Sequence, residues 1–501
     1  MPVATQASLK GLTPEQLEET GCRLCLNNTY HLGLKPGQDV LAAVGGAHKL
    51  QGWNHNILTD SGGYVGTTTT ATMAQFGDRF QMVSLLKLAK ITEEGVEFLS
   101  PHDGTPMLLT PEHSIGLQNT IGSDIIMQLD DVLVTTSPDA RRMREAMERS
   151  VRWLDRCIAA HRNPDTQNLF CIVQGGLDLD MRRECCTAMM ARDTPGIAIG
   201  GLSGGEAKAD YCRVVACCTE LLPELKPRYV MGIGYPEDLV VSVALGADMF
   251  DCVWPTRTAR FGNAVTRRGV LNLRNARYAS DFRPVENGCA CACCRPRDQQ
   301  GGLGVTRAFV HHNAAKETVA AHLLTIHNVH YQLDLMRRVR EAVVADEYPA
   351  FLRRFFADLY PDSRADYPAW AVEALRGVGV DLLSDEETMY KWYLWRSDKS
   401  TKGQLYESKT TAPSTAPIAT GHTAGRLSPP AAAVSGSAVL DGVTVTVTAV
   451  ALSEAVSLEP SPPAVAVPVD PASAADRPSA AVVVASALAT RKSPTLEHRS
   501  S

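Results

Sequence analysis

Short apolar runs that stop at a carboxylate or a glycine recur along the first half of this chain, and they restrict its fold more than any other feature. The runs are Cys22–Leu26, Asn56–Leu58, Asp124–Leu129, Leu169–Val173, Gly196–Ile199, Arg228–Met231 and Asp248–Val253. Each is rich in Ile, Val, Leu or Met without polar alternation, as in strands covered on both faces. Helical patterns separate them. Ser137-Pro138-Asp139 supplies an N-cap, a first-turn proline and an acidic first turn, and Met143, Met147, Val151, Leu154 and Ile158 follow as one apolar stripe. Thr110-Pro111-Glu112 opens a second helix in the same way. Such alternation predicts a parallel α/β fold, either a closed barrel or a doubly wound sheet.

Polar and glycine residues gather where the runs end. Asp60 follows Ile57-Leu58-Thr59, Asp130-Asp131 follow Ile125–Leu129, and Gln174-Gly175-Gly176 follow Phe170–Val173. Gly200-Gly201 follow Ile197–Ile199, Gly232-Ile233-Gly234 follow Val230-Met231, and Asp251 lies within Met249–Val253. In a parallel barrel all strand C-termini open on one face, so the recurrence points to a shared site, whereas a single instance would mean only a turn. Asp130 offers acceptor oxygens alone, which suits adjacent N–H donors on a guanine-like edge. Gln174 and the backbone N–H groups around Gly200 and Gly201 suit that base's carbonyl. Asp60-Ser61-Gly62-Gly63 sets a carboxylate before a turn that permits close approach of a planar ligand. Asp251 can serve as a nucleophile toward an anomeric carbon. Arg257 and Arg260 beyond it can hold phosphates or base edges, and Arg267, Arg268, Arg274 and Arg277 extend the basic stretch. The plainer alternative is a strand-end Asp251 satisfied by the following backbone, with arginines on a solvated face. Gly200–Gly205 lacks the Gly-Lys-Ser/Thr ending of a phosphate loop.

A barrel of this class takes roughly 250 to 400 residues, and the chain has 501. Hydrophobic content of 45% with 21% charged residues gives ample core. A net charge of −6 argues against a wholesale polyanion binder but leaves room for a local basic patch. The start, Met1-Pro2-Val3-Ala4-Thr5-Gln6, has no basic opening before an apolar run, so no signal peptide is expected. Fourteen cysteines are then expected as reduced thiols, and a tight cluster of them as a metal site. That cluster is Cys289-x-Cys291-x-x-Cys294, followed on a helix over 319–339 by His327. Three thiolates and an imidazole make a closed tetrahedral zinc set of the structural kind. A Cys-x-x-Cys redox pair is the alternative, Cys293 is a substitute ligand, and His311, His312, His322 and His330 compete with His327. Val65–Arg79 is Thr-rich without a period. Beyond about residue 400 the composition turns to Ala, Pro, Ser and Val, which predicts disorder, with Val443–Val450 an isolated strand as the alternative.

These motifs together resemble the tRNA-guanine transglycosylase family, in its eukaryotic catalytic-subunit branch. The resemblance spans about residues 1 to 385. It rests on T-D-S-G-G (59–63), F-Q-M-V-S (80–84), Q-L-D-D (128–131), V-Q-G-G (173–176), I-G-G-L-S-G-G-E (199–206), M-G-I-G-Y (231–235), D-M-F-D-C-V-W-P-T-R-T-A-R (248–260), C-x-C-x-x-C (289–294) and I-H-N (326–328). It implies a (βα)8 TIM-type barrel over 1–285, a zinc-binding subdomain with C-terminal helices over 286–385, and a disordered tail over 386–501. The implied reaction replaces guanine at the wobble position of tRNAs with G-U-N anticodons (Asp, Asn, His and Tyr types) by queuine. Asp251 becomes the nucleophile of a covalent double displacement and Asp60 the proton acceptor. Base contacts fall on Asp60, Ser61, Gly62, Gly63, Asp130, Gln174, Gly201, Leu202 and Met231, with Tyr64 or Phe80 as the stacking aromatic. RNA contacts fall on Gly232, Ile233, Gly234, Tyr235, Pro236, Glu237, Asp238, Thr256, Arg257, Thr258, Ala259 and Arg260. Gly204 stands where bacterial members carry a larger residue, implying space for queuine's ring. The implied metal is structural Zn2+ on Cys289, Cys291, Cys294 and His327. Implied partners are tRNA, queuine and a homologous non-catalytic accessory subunit in a heterodimer. The family-level location is cytoplasmic, peripheral on the mitochondrial outer membrane. Three features depart from the pattern: residues 64–79 split D-S-G-G from F-Q-M-V-S, the loop between Cys294 and His327 is long, and the chain begins inside the first barrel strand, which predicts an unpaired gap. Competing readings are a non-catalytic tRNA-binding subunit or inactive isoform, and an ordinary carboxylate glycosidase.

Overall fold

The computed structural model describes residues 1–9, 11–62, 90–99, 104–314 and 317–384, together with the backbone of two tail strands, 435–440 and 443–448. Every apolar run singled out above forms a strand. They are β1 Leu24–Asn27, β2 Asn56–Thr59, β3 Ile125–Met127, β4 Asn168–Val173, β5 Gly196–Ile199, β6 Arg228–Val230 and β7 Met249–Phe250. All pair in parallel with their neighbours in chain order, giving one curled sheet of the TIM-barrel kind.

The predicted gap beside the first strand is corrected by the residues that precede it. Val3 bridges in parallel to Leu26 of β1 and Pro2 to Cys252 just past β7. The Ala4 N–H donates to Leu26 O at 2.7 Å, the Leu26 N–H to Pro2 O at 2.9 Å, and the Met1 ammonium to Phe250 O at 2.6 Å. Residues 1–4 thus occupy the place between the sheet's two outer strands, and their backbone groups satisfy an edge that would otherwise stay unpaired.

Val3, Leu26, Leu58, Met127, Phe170, Ile172, Ala198 and Tyr229 fill the barrel interior. Burying each large apolar side chain stabilises the fold by about 1.5–3 kcal/mol. Gly196 is glycine because the Phe170 ring lies against its Cα: an added Cβ would sit 2.2 Å from that ring. Helices Pro111–Ile121, Ala140–Ala160, Leu179–Met190, Lys208–Leu221 and Pro236–Ala244 alternate with the strands. Thr110 caps the first of these, accepting from the His113 N–H. The second begins later than its sequence suggests: Asp139, not Ser137, is the cap, accepting from the Arg142 N–H at 2.9 Å. Its buried face turns through Met143, Met147, Trp153, Leu154 and Cys157, which leaves Ile158 exposed. A helix has 3.6 residues per turn, so a stripe extrapolated in fours drifts off the core.

Two small sheets were not anticipated. Lys90–Ile91, Val96–Leu99 and Pro106–Leu109 form an antiparallel sheet, and Asn263–Thr266 pairs with Gly269–Asn272 in a hairpin with Arg267 and Arg268 at its turn. The long helix Thr318–Val344 is followed by Tyr348–Leu359 and Ala369–Gly377, and residues 286–384 belong to the same compact unit as the barrel. In the second unit, Ser435–Leu440 pairs antiparallel with Val443–Thr448, so the Thr/Val alternation forms a strand there; the rest of 386–501 lies outside the described residues. Among the described residues no helix is long and apolar enough to cross a membrane.

Candidate active site

Asp60, Asp130 and Asp251 stand at the carboxyl ends of β2, β3 and β7, so the parallel sheet brings them to one rim. Their charges act on one another: Asp251 raises the pKa of Asp60, and Asp60 that of Asp130. The three acids thus lie within electrostatic reach of one another on that rim.

Each acid has a different setting. Oδ1 of Asp251 accepts from the Tyr229 hydroxyl at 2.6 Å and from the Gly232 N–H at 3.0 Å, and its other oxygen has no partner among the described residues. Tyr229 rises from β6 inside the barrel. Burial, reinforced by the Asp251 charge, pushes its pKa well above the usual value, so the phenol stays a donor. Oδ1 of Asp60 accepts from the N–H groups of Thr29 at 3.0 Å and Gly62 at 3.1 Å, and Oδ2 from the Asn28 side chain. Burial still outweighs those bonds and lifts Asp60 to about 7. Asp130 is 7% exposed and accepts from Gln174 Nε2 at 2.6 Å; burial raises it to about 7 as well. Asp131 points elsewhere, fully buried between Arg142 (2.8 Å) and Arg149 (2.6 Å), and is structural.

The floor of the site comes from β4 and β5. Gln174 is buried, and Gly201 lies so close that a Cβ there would sit 2.4 Å from Gln174 Oε1; its φ of +65° likewise demands glycine. Leu202 and Ser61 are buried and Met231 is half-buried. Gly63 lies outside the described residues, as do Tyr64 and Phe80, the two candidates for the stacking aromatic. At Gly204 an added Cβ would come 2.5 Å from Thr135 Oγ1, so a side chain there would have to displace Thr135.

The stretch expected to meet RNA divides by burial. Ile233, Gly234, Pro236, Asp238, Thr256, Thr258 and Ala259 are buried; Asp238 is an ion-pair partner of Lys208, and Gly234 O accepts from Gln332 at 2.6 Å. Gly232, Tyr235, Arg257 and Arg260 are exposed, Glu237 is intermediate, and Tyr235 stands 4.7 Å, ring to ring, from Trp254. Tyr229 was missed in the sequence, although a tyrosine within the apolar run Arg228–Met231 demands a partner for its hydroxyl.

Sγ of Cys289, Cys291 and Cys294 lies 3.7, 3.6 and 3.4 Å from Nδ1 of His327, and the four ligand atoms converge within 4.8 Å. Cys293 is not of this group. His327 Nε2 sits 2.9 Å from Val265 O, which assigns its proton to Nε2 and leaves the Nδ1 lone pair for a metal ion.

Residues 1–361 match the family described as queuine tRNA-ribosyltransferase. The chain is 62% identical over 384 residues to the queuine tRNA-ribosyltransferase catalytic subunit of Schizosaccharomyces pombe, covering 77% of this chain and 91% of that protein. It is 51% identical over 371 residues to the catalytic subunit of Caenorhabditis briggsae (74% and 86% covered), and 44% identical over 357 residues to the queuine tRNA-ribosyltransferase of a Thermoanaerobacter species (71% and 88%). With a barrel whose rim gathers the three acids and with matches of this extent, the chain belongs to the queuine tRNA-ribosyltransferase family, the tRNA-guanine transglycosylases.

Proposed function

We propose that the chain exchanges guanine at the wobble position of G-U-N anticodons for queuine, through a covalent bond between Asp251 and the ribose. The supporting observation is the division of labour on one carboxylate: two donors hold Oδ1 of Asp251, which leaves Oδ2 for attack on the rim where Asp60 and Asp130 also stand. Oδ2 attacks C1′, and the C1′–N bond breaks with its electron pair leaving on guanine, which takes a proton from the protonated Asp60 carboxyl. The ring N–H of the incoming base then gives its proton to Asp60, its nitrogen attacks C1′, and the C1′–Oδ2 bond breaks to restore the carboxylate. Two inversions retain the anomeric configuration. An acid with a pKa of about 7 is matched to this proton transfer near neutral pH. Asp130 accepts from the base's N–H donors, while Gln174 and the Gly201 N–H donate to its carbonyl. Arg257 and Arg260 face the RNA backbone.

The metal is zinc on this reading. Tetrahedral bonds of about 2.3 Å to sulfur and 2.05 Å to nitrogen put S and N about 3.6 Å apart, the spacing of all three cysteines from His327. The relatives' designation as catalytic subunit supports a homologous accessory subunit as partner. The cytoplasmic, peripheral-membrane location rests on the resemblance alone.

The test is exchange of labelled guanine into tRNA, with and without an accessory subunit, alongside gel-shift trapping of the covalent adduct. Asp251→Ala abolishes the adduct; an adduct that persists refutes the nucleophile. Absence of exchange in the parent chain under both conditions overturns the whole reading in favour of a non-catalytic tRNA-binding role.

A further inference from the structure

Arg182 is fully buried on the face of helix Leu179–Met190 that packs against the sheet. Its guanidinium meets main-chain carbonyls: Nε donates to Gly176 O at 2.9 Å, and Nη1 to Val173 O and Gly200 O, each at 2.9 Å. Nη2 has no hydrogen-bond partner among the described residues, and a Cβ built on Gly201 would stand 3.7 Å from it. A buried cation without a carboxylate partner among the described residues is costly to keep, and this one stands directly behind the floor of the site.

The carbonyls on Nη1 belong to two particular peptide units. One carries the N–H of Gln174, already committed to Cys185 Sγ at 3.3 Å. The other carries the N–H of Gly201, which has no partner among the described residues. A cation on an amide oxygen draws electron density from the nitrogen and makes its N–H a stronger donor. The Gly201 N–H is the donor that the base-exchange reading directs at the purine carbonyl. When the purine leaves with the electron pair of its glycosidic bond, negative charge spreads onto that oxygen. A strengthened donor therefore favours the departing base over the bound nucleotide.

We propose that Arg182 is a positioning residue for base exchange: its grip on the Gly200 carbonyl orients and strengthens the Gly201 N–H, and its bonds to Val173 and Gly176 fix the strand end that bears Gln174. This deepens the base-exchange reading and rests on it.

Kinetics of labelled-guanine exchange into tRNA, on the full chain with its accessory subunit, separate the two. Arg182→Met lowers kcat/KM for guanine by about tenfold or more, with KM for tRNA within about twofold of the parent because the RNA-facing arginines lie elsewhere. Arg182→Lys keeps a cation beside the carbonyls and recovers part of the loss. An unchanged guanine efficiency, an equal worsening toward guanine and tRNA, or a Lys variant no better than Met overturns the assignment. Should Arg182→Met fail to fold in a thermal melt, Arg182→Lys against the parent decides by the same split: selective loss toward guanine supports the role, equal or no loss overturns it. A parent chain that exchanges no guanine refutes the base-exchange reading itself, and this inference with it.

Discussion

Asp130→Asn separates the stability cost of the site from its chemistry. Burial holds the Asp130 carboxyl at about 7, against 3.8 for an unburied aspartate. Folding therefore raises this pKa, so the native state loses stability as pH climbs from about 4 to about 7, where only the unfolded chain readily gives up the proton. At 1.36 kcal/mol per unit, the burden is roughly 2 kcal/mol at pH 5 and about 4 kcal/mol at pH 8. Asparagine removes the titration and keeps the geometry, because its Oδ1 can accept the single bond that Gln174 Nε2 makes to Asp130. The carboxylate's repulsion of Asp60 disappears as well. The variant is expected to gain about 2–3 kcal/mol over the parent between pH 5 and pH 8 while losing guanine exchange, a trade of activity for stability. Urea unfolding of both proteins at the two pH values measures this, since titrating groups away from Asp130 cancel in the difference and the relief of Asp60 acts in the same direction. An advantage of equal size at both pH values, or a variant less stable at pH 8, would refute the reasoning.

Tyr229→Phe removes one of the two donors on Asp251, and a bond to a charged group of about 1.5–3 kcal/mol corresponds to a roughly tenfold or larger drop in the single-turnover rate of adduct formation. Its tRNA affinity should be unchanged; a rate equal to the parent's would remove Tyr229 from the positioning of the nucleophile. Arg257→Ala and Arg260→Ala should each weaken tRNA binding and flatten the plot of log affinity against log salt by about one unit; a slope that stays put means that neither guanidinium meets a phosphate. Cys291→Ser should release the metal, so that elemental analysis finds far less than the parent's expected content of about one ion per chain; full occupancy would take Cys291 out of the ligand set.

The barrel was legible in the sequence because strands covered on both faces must be apolar throughout. Its active rim was legible for a related reason: Asp60, Asp130, Gln174 and Gly201 break the apolar runs where the strands stop. What escaped notice has physical causes too. Lys90–Ile91 and Pro106–Leu109 are too short to show a period, and Lys90 and Pro106 are exposed. The buried half of the stretch after Met231 looks like surface in sequence, yet Asp238 is buried with the cation of Lys208 beside it. Arg182 carried a readable sign: it lies three and four residues before Cys185 and Cys186 on the buried stripe that continues to Met189, a position where a charge needs a reason.

The metal set does more than staple a subdomain, because the helix that bears His327 also grips the loops around Asp251. Asn328, the next residue, accepts from the Val265 N–H at 2.9 Å and donates to Pro255 O and Asn263 O at 3.0 Å each. One turn on, Gln332 donates to Gly234 O, two residues from the Gly232 N–H that holds Asp251. Both segments flanking Asp251, 232–234 before it and 254–263 after it, are thus tied to a single helix. A metal ion held by the Cys3His group would fix that helix's position against Cys289, Cys291 and Cys294. Loss of the ion need not touch substrate to slow exchange: it releases the element that sets where Oδ1 of Asp251 is held, and misplacing a nucleophile by about 1 Å costs on the order of a hundredfold in rate.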